Sequence, residues 1–272
     1  MPMRQLLGGQ SSNDGKASHP DKTSLLNRLG EVFRDDMEQH FREQLIDLWQ
    51  GKLFQQREVV NYALDGTERH LHLQLSVLPG YEHDWSLVQV ALTDITARKK
   101  AEAYLEYLGR HDVLTKLYNR SFYVEELNRL ERKGPKPVTI IIADLNGLKA
   151  ANDQWGHDSG DALLRRAGEV HNEIIVKPGC AARIGGDEFA ILLPATELRD
   201  GEAVMDRIHK LVAINNQFYP GLTLSLSMGI ATSRPGERLE AVAKRADLMM
   251  FEEKRAYYAG EPRDRRHGAS AA

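Results

Sequence analysis

The sequence predicts an α+β protein built in two parts, and three observations support this fold class. The chain has 272 residues, which at about 150 residues per domain corresponds to roughly two domains. Residues 53–96 alternate apolar and polar side chains with the period of two that is typical of antiparallel strands. Residues 110–260 instead alternate short apolar strands with segments of helical periodicity. We therefore expect a small antiparallel sheet followed by a larger domain of sheet and helices.

The first hundred residues divide into a leader, a helix and three strands. Residues 1–21 are rich in Gly, Ser, Asn, Asp and Lys, so we expect them to be flexible. Apolar side chains then recur at helical spacing over residues 24–50, and Gly30 is the point where this helix is expected to break. Residues 53–96 predict a hairpin around Asp65-Gly66 and a third strand that begins at Trp85.

A second amphipathic helix follows the sheet and is expected over residues 97–109. Thr96 is one candidate cap for its first turn, and Asp94 is the competing candidate. The apolar residues of this helix form a narrow seam that suits pairing with another helix. The seam consists of Ala101, Tyr104, Leu105 and Leu108.

The segment after residue 110 predicts four strands and three helices. The strands are expected at residues 138–143, 182–184, 189–193 and 222–230. The helices are expected at residues 162–175, 202–215 and 237–259. The last strand alternates apolar and polar residues, so we expect it to be half-exposed. Residues 261–272 show no periodicity and are expected to form a flexible tail.

The composition is that of a soluble globular chain and excludes several other classes of protein. Hydrophobic residues make up 42% and charged residues 28%, which excludes a wholly disordered or fibrous chain. The net charge is −3, so no basic excess predicts binding to nucleic acid or to a membrane surface. No apolar run approaches the roughly 20 residues of a spanning helix, and no signal peptide is evident. The single cysteine, Cys180, excludes an intramolecular disulfide and a cysteine-based zinc site. Taken together, these observations favour a soluble cytoplasmic protein.

Three carboxylates lie at strand ends in the second part. Asp144 ends an apolar strand, and Asp187 and Glu188 follow the glycine pair Gly185-Gly186. If these elements are neighbouring antiparallel strands, the three carboxylates converge at one edge of a sheet. Mg²⁺ prefers such oxygen ligands and often shares them with phosphate oxygens. Spacing alone leaves open a second interpretation, in which Asp144 is a cap and Asp187 is a turn residue.

The segment that follows the first of these strands is polar and contains glycines. A loop of this kind exposes N–H groups that can bind phosphate, and Lys149 adds positive charge. Asn152 and Asp161 carry an amide and a carboxylate, which can pair with the donor and acceptor edge of guanine. Taken alone, the same residues also fit a polar loop in which Asp158 or Ser159 caps the following helix.

Six ordered blocks between about residues 110 and 258 resemble the GGDEF family, the diguanylate cyclases. The signature is Arg-Ile-Gly-Gly-Asp-Glu-Phe at residues 183–189, and residues 144–153 resemble the family's metal, phosphate and guanine stretch. The other blocks begin at Asp112, Gly156, Ser227 and Ala246. The resemblance implies a palm-like sheet of the nucleotide-cyclase type, flanked by helices. It also implies an enzyme that joins two GTP molecules into cyclic di-GMP and releases two pyrophosphates.

The resemblance assigns roles to individual positions. The implied Mg²⁺ ligands, for two ions with Mn²⁺ as an alternative, are Asp144, Leu145 (through its carbonyl oxygen), Asp187 and Glu188. Catalytic roles are implied for Asp187, Glu188 and Lys149. Contacts with GTP are implied at Leu148, Asn152, His157, Asp161, Gly185, Gly186 and Lys254.

The sequence departs from the family pattern at two places. Asn146 and Leu148 stand where many members have Asp and Phe. The family's inhibitory product site is an Arg-x-x-Asp motif that ends five residues before the glycine pair. In this chain that window is Val176-Lys-Pro-Gly179, which lacks both charged anchors. We therefore expect that cyclic di-GMP does not inhibit through that site.

Residues 53–100 resemble the last three strands of a PAS sensor domain and its exit helix, and Asp94-Ile95-Thr96 matches the end of such a domain. The expected plan is a leader (1–21), an N-terminal helix with a truncated PAS-like segment (22–96), a linker helix (97–109), a cyclase domain (110–260) and a tail (261–272).

The expected function is a diguanylate cyclase that works as a homodimer under control of its N-terminal segment. The family holds one GTP per domain, so two domains must face each other to join two GTP molecules. The alternative is a catalytically silent GGDEF domain that binds GTP or a protein partner.

Overall fold

The computed structural model describes residue 23, residues 27–32 and residues 37–260. The predicted leader (1–21) and tail (261–272) lie outside these residues. The chain divides into two compact units, Met1–Tyr104 and Leu105–Ala272. In the part of the chain that is described, no helix combines the length and apolar character needed to cross a membrane.

Among the described residues before the sheet of the first unit, the chain forms a four-residue helix at Leu29–Val32 and helix α1 (Met37–Trp49). Gly30 lies within Leu29–Val32, directly after a turn at Arg28 that interrupts the helix, so the helix is broken close to the expected point. Residues 24–26 and 33–36 of the predicted helix lie outside the described residues.

Three antiparallel strands complete the first unit: β1 (Phe54–Tyr62), β2 (Glu68–Val77) and β3 (Val88–Asp94), in the order β1-β2-β3. The predicted hairpin is confirmed, because β1 and β2 pair antiparallel on either side of Asp65-Gly66. In the turn, Gly66 takes a left-handed φ of 84°, and Asp65 Oδ1 accepts a hydrogen bond from the Thr67 amide at 2.8 Å. The third strand begins at Val88 rather than at Trp85, which has a positive φ of 51°. Met37 and Leu48 of α1 belong to the same buried cluster as Val59, Leu73, Leu75 and Val77 of the sheet.

Helix α2 (Thr96–Arg110) follows β3 along the chain. Asp94 is the residue that caps it, since its Oδ1 accepts from the Thr96 amide at 2.8 Å. The first turn carries no acidic residue. Glu58 of β1 supplies negative charge there, through ion pairs to Arg98 at 2.7 Å and to Lys99 at 2.5 Å.

The second unit is built on a four-stranded antiparallel sheet in the order β5-β6-β4-β7. Its strands are β4 (Val138–Leu145), β5 (Cys180–Arg183), β6 (Glu188–Pro194) and β7 (Leu226–Thr232). Its helices are α3 (Arg120–Lys133), α4 (Leu148–Trp155), α5 (His157–Ile174), α6 (Leu198–Gln217) and α7 (Leu239–Gly260). This mixed arrangement agrees with the predicted α+β class.

Every residue of β4 is buried, because both faces of the sheet are covered. Ile141 and Ala143 belong to a core cluster that includes residues of α5 and α6. Ile140 and Ile142 belong to a second cluster that includes residues of α3 and α7. The apolar run that predicted this strand therefore reflects two cores, one on each face.

Strand β7 differs from its prediction. It begins at Leu226, and all but its last residue are buried, so the expected half-exposed strand over residues 222–230 was wrong. Helix α7 packs so closely on this strand that a Cβ atom at Gly229 would clash with the backbone of Ala246 and Met250. Alternation in the sequence was misleading here, because the polar and small residues of this strand face a helix rather than water.

Candidate functional site

The edge of the sheet at the end of β4 brings together the predicted carboxylates of two strands. Asp144 pairs in register with Glu188 of β6 and with Ser227 of β7, and only 4% of its surface is exposed. The Leu145 amide donates to the Asp187 carbonyl at 2.9 Å. The prediction that these elements are neighbouring antiparallel strands is confirmed.

Lys254 of α7 reaches the same edge. Its Nζ lies 2.6 Å from Asp144 Oδ1 and 4.0 Å from Asp187 Oδ2. Burial raises the pKa of Asp144, and the nearby Asp187 and Glu188 carboxylates raise it further while Lys254 opposes the rise. Burial by itself would lower the pKa of Lys254, but its hydrogen bond to Asp144 and the charges of Asp144 and Asp187 outweigh that effect and raise it.

These donors fit a hard divalent cation in their chemistry. Asp144, Asp187 and Glu188 offer carboxylate oxygens, and the Lys254 ammonium already provides a positive charge beside Asp144. The described residues contain no three His, Cys, Asp or Glu side chains arranged to hold a metal ion. The sheet edge thus offers the ligand types that Mg²⁺ prefers, but its carboxylates are not arranged around a metal ion, and the Lys254 ammonium contacts one of them.

The signature turn joins β5 to β6 and carries Asp187. The amides of Ile184 and Gly185 both donate to the Glu188 carbonyl, at 2.9 and 3.3 Å. A Cβ atom at Gly185 would lie 2.6 Å from Glu188 Oε2, whereas one at Gly186 would meet nothing within 4 Å. Gly185 therefore makes room for the Glu188 carboxylate, and Gly186 leaves open space above the backbone.

Arg183 fixes this turn and is a residue whose role the sequence analysis missed. Its Nη2 donates to the Gly186 carbonyl at 2.7 Å, and its Nη1 lies 3.3 Å from Asp112 Oδ1. Asp112 Oδ1 also accepts from the amide of Thr115 at 2.8 Å. The contact between Arg183 and Asp112 thus joins the signature block to the block that begins at Asp112. Nothing in the sequence except the resemblance of both blocks to one family indicated that they belong together.

The segment after Asp144 is mostly helical, so its interpretation as a loop was wrong. Gly147 takes a left-handed φ of 71° and begins α4, in which Ala151 is buried. Lys149 lies exposed on this helix, and Leu148 is half-buried against the core beside α5. The side chain of Leu148 therefore packs against the core, although its backbone follows closely after Asp144 at the sheet edge.

Asn146 joins β4 to β7. Its Nδ2 donates to Ser225 Oγ at 3.1 Å, and its Oδ1 accepts from Ser227 Oγ at 3.0 Å. Since the side chain is buried and both amide atoms are paired, Asn146 stabilises the strand ends next to Asp144.

The two candidate guanine-reading residues lie on consecutive helices. Asn152 is on α4 and Asp161 is on α5, and Gly156, with a positive φ of 86°, joins the two helices. Asn152 Oδ1 is buried without a hydrogen-bond partner among the described residues, and a Cβ at Gly160 would clash with it. Asp161 is half-exposed and lies 3.6 Å from Arg165.

An unpaired buried acceptor is costly in a folded protein and often indicates a missing partner. Asn152 thus brings an unpaired amide carbonyl to the same helix pair as the Asp161 carboxylate. His157, the first residue of α5, is exposed beside them. Neither Asp158 nor Ser159 caps α5, which begins directly after Gly156.

Two further residues were missed because their contacts span long stretches of sequence. Tyr258 of α7 accepts a hydrogen bond from the Gly147 amide through its hydroxyl, at 3.1 Å. The buried Arg166 donates to Asn215 and Asn216 at 2.7 Å and to the Leu222 carbonyl at 2.5 Å. These bonds stabilise the segment that leads into β7. No spacing rule in the sequence indicates either contact.

Comparison with known families agrees with this geometry. The profile of the family described as "Diguanylate cyclase, GGDEF domain" matches residues 109–258, which is more than half of the chain. All of the candidate site residues lie within that match.

Curated relatives match over the same region. The diguanylate cyclase DosC of Escherichia coli is 35% identical over 164 residues, which covers 55% of this chain and 35% of DosC. The signaling protein YkoW of Bacillus subtilis is 29% identical over 217 residues, which covers 74% of this chain and 27% of YkoW. This chain thus spans about a third or less of the length of these relatives.

Solved structures match with similar coverage. The coiled coil and GGDEF domain of DgcB from Caulobacter crescentus, solved in complex with c-di-GMP, matches with a TM-score of 0.52 at 25% identity, covering 60% of this chain and 89% of that one. Diguanylate cyclase SiaD of Pseudomonas aeruginosa, solved with its activator SiaC, matches with a TM-score of 0.50 at 30% identity, covering 59% and 64%.

Proposed function

The chain belongs to the GGDEF family, and from that premise we propose that it is an active diguanylate cyclase. It joins two GTP molecules into cyclic di-GMP and releases two pyrophosphates. The observation that carries this proposal is the intact signature turn, which brings Asp187 and Glu188 to the same sheet edge as the buried Asp144. A catalytically silent member would not need the carboxylates of Asp187 and Glu188 beside the buried carboxylate of Asp144.

The metal chemistry follows from the donor set. Asp144, Asp187, Glu188 and the Leu145 carbonyl would hold two Mg²⁺ ions, or Mn²⁺ in their place. When bound, such ions neutralise charge on the phosphates that undergo transfer.

The protein's own residues bind and orient the nucleotide. The open space at Gly186 lets a triphosphate approach the backbone, and the exposed ammonium of Lys149 adds positive charge at the first turn of α4. Asn152 and Asp161 pair with the guanine base, and His157 lies beside them. Gly185 leaves room for the Glu188 carboxylate, which keeps that side chain at the sheet edge.

Asp187 is the proposed proton acceptor. The 3′-hydroxyl oxygen of one GTP attacks the α-phosphorus of the other, and its proton passes to the Asp187 carboxylate. The bond from the α-phosphorus to the bridging oxygen breaks, and pyrophosphate leaves. Asp187 suits this role because 41% of its side chain is exposed, whereas Asp144 is buried and paired with Lys254.

The reaction needs two domains, because each holds one GTP. We propose a homodimer joined through the seam of α2 and controlled by the N-terminal segment. The proposed domain plan is the one expected from the sequence, with an N-terminal helix and a truncated PAS-like sensor segment at 22–96, a linker helix at 97–109 and the cyclase domain at 110–260. Neither nucleic acid nor a membrane is a proposed partner.

The direct test is product formation by the purified chain incubated with GTP and Mg²⁺. We expect cyclic di-GMP and pyrophosphate in a ratio of one to two. A chain that binds GTP but forms no cyclic di-GMP would be the silent binding module, and the proposal would be wrong.

A further inference from the structure

The contact between Lys254 and Asp144 has a consequence for how metal and nucleotide bind. Lys254 Nζ lies 2.6 Å from Asp144 Oδ1, which is among the shortest ion pairs in the described part of the chain. The same nitrogen lies 4.0 Å from Asp187 Oδ2. Within the described residues, no other Lys, Arg or His nitrogen lies that close to either carboxylate.

This contact places a monovalent cation where a divalent one would bind. A metal ion on Asp144 would have to share its carboxylate with the ammonium or displace it, and two cations at such a distance repel each other. Asp144 is almost fully buried, so water screens that repulsion weakly. The free protein therefore disfavours a metal ion as long as Lys254 has no other anion to pair with.

A triphosphate supplies that other anion. Ammonium groups pair well with phosphate oxygens, and a quarter of the Lys254 side chain is exposed at the sheet edge that we propose to bind GTP. When GTP binds, the ammonium can leave Asp144 for a phosphate, which frees the Asp144 oxygen for the metal.

We propose that Lys254 couples the two ligands, so that a divalent cation binds tightly only together with GTP. This inference deepens the proposed function, because it requires that the acidic edge binds metal and GTP. Lys254 acts here as a positioning residue, through the charge that it places on or removes from Asp144. Since coupling between two ligands is reciprocal, the metal must strengthen GTP binding by the same factor.

Removing Lys254 should not release α7, because other contacts hold this helix. Glu253 Oε2 accepts from the Met228 amide at 2.6 Å, and Tyr258 accepts from the Gly147 amide at 3.1 Å. The backbone of the helix also packs directly against Gly229. A Lys254→Met variant therefore keeps the fold and most of the side-chain volume while it loses the charge.

The test measures Mn²⁺ binding to the full chain by electron paramagnetic resonance, with and without 3′-deoxy-GTP, which lacks the attacking hydroxyl. In the wild type we expect the nucleotide to tighten Mn²⁺ binding by about tenfold or more. Because the triphosphate also chelates Mn²⁺ directly, the contribution of Lys254 is the difference between the wild type and the variant. In Lys254→Met we expect tighter Mn²⁺ binding without nucleotide and a smaller effect of adding it. Lys244→Met is the matched control, since Lys244 is exposed on the same helix, about 15 Å away at 1.5 Å per residue.

The outcomes separate this inference from the proposed cyclase activity. Equal Mn²⁺ affinity of the wild type and Lys254→Met without nucleotide would overturn the coupling, even in a protein that makes cyclic di-GMP. The same holds if the wild type binds Mn²⁺ equally well with and without nucleotide. A chain that shows the coupling but forms no product would support this inference and contradict the catalytic proposal.

Discussion

At the scale of single residues, Asn152 and Asp161 are the side chains that we propose select the base. Asp161→Ala removes the proposed acceptor for the guanine N1–H and N2–H₂ groups, which adenine cannot satisfy in the same way. We expect GTP affinity to fall by about tenfold or more, at roughly 1.4 kcal/mol per tenfold, and the preference for GTP over ATP to shrink. Isothermal titration calorimetry with both nucleotides measures this.

The matched control is Asp158→Ala, which removes an exposed carboxylate from the first turn of the same helix. It is expected to leave GTP affinity close to the wild-type value. Unchanged GTP affinity in Asp161→Ala would contradict the role of Asp161 in guanine binding.

The residue types of the site could be read from the sequence, but the contacts between them could not. Asp144, Asp187 and Glu188 were predicted to converge because strand ends and a glycine turn are local signals. The pairing of Lys254 with Asp144 joins residues 110 positions apart, and the resemblance to the family implied a phosphate contact instead. Burial of a lysine against a carboxylate depends on how α7 packs, which no local pattern encodes.

At the scale of elements, the start of α2 depends on a carboxylate from another element. Glu58 of β1 pairs with Arg98 and Lys99, whose positive charges oppose the helix dipole in a first turn without acidic residues. We expect Glu58→Gln to lower the hydrogen-exchange protection of amides 99–104. This network joins β1 to the first turn of the proposed linker helix.

Glu106→Gln serves as the control, because Glu106 is exposed near the other end of the same helix. Its effect on the protection of amides 99–104 is expected to be small. Equal protection in Glu58→Gln and the wild type would show that α2 begins without help from β1.

The turn after α5 occupies the position where the family resemblance implies an inhibitory site for the product. Val176 is 73% exposed, and the Gly179 amide donates to the Val176 carbonyl at 3.0 Å. Because these two residues are a valine and a glycine, neither supplies the guanidinium or the carboxylate of the family's inhibitory site. We expect initial rates to change little when micromolar cyclic di-GMP is added. A flexible lysine at the neighbouring position 177 does not replace the planar arginine fork.

A double variant with Val176→Arg and Gly179→Asp would restore both anchors, and we expect it to make the enzyme sensitive to its product. Strong non-competitive inhibition of the wild type that survives Lys177→Ala would contradict this prediction.

The missed elements have a physical explanation in their surroundings. Helix α4 was read as a loop because its sequence is polar, yet it begins after the left-handed Gly147 and buries Ala151 against the core. Strand β7 was expected to be half-exposed because its alternation implied one wet face. Helix α7 covers that face, and a single-sequence pattern cannot distinguish water from a close-packed helix.

At the scale of the whole molecule, activity should depend on pairing of two chains. Tyr104 and Leu105 of the α2 seam are 60% and 66% exposed in the single chain, which leaves apolar surface available for a second copy. Leu105→Glu would place a charge in that seam. We expect this variant to be monomeric by analytical ultracentrifugation and to lose most of its specific activity.

Val124→Glu is the control for an added charge, because Val124 is also an exposed apolar residue but lies on α3, outside the seam. It is expected to remain a dimer with its specific activity intact. Full specific activity in a monomeric Leu105→Glu protein would refute the need for pairing.

The measurement that tests the central claim most directly compares cyclic di-GMP formation by the wild type and by Asp187→Ala. Loss of this carboxylate removes a proposed metal ligand and the proposed proton acceptor, which corresponds to several kcal/mol of transition-state stabilisation and at least about a hundredfold loss of rate. Asp200→Ala, an exposed carboxylate in the first turn of α6, is the matched control and should retain its activity. We predict product from the wild type and Asp200→Ala and almost none from Asp187→Ala, whereas wild-type rates in Asp187→Ala would contradict the account.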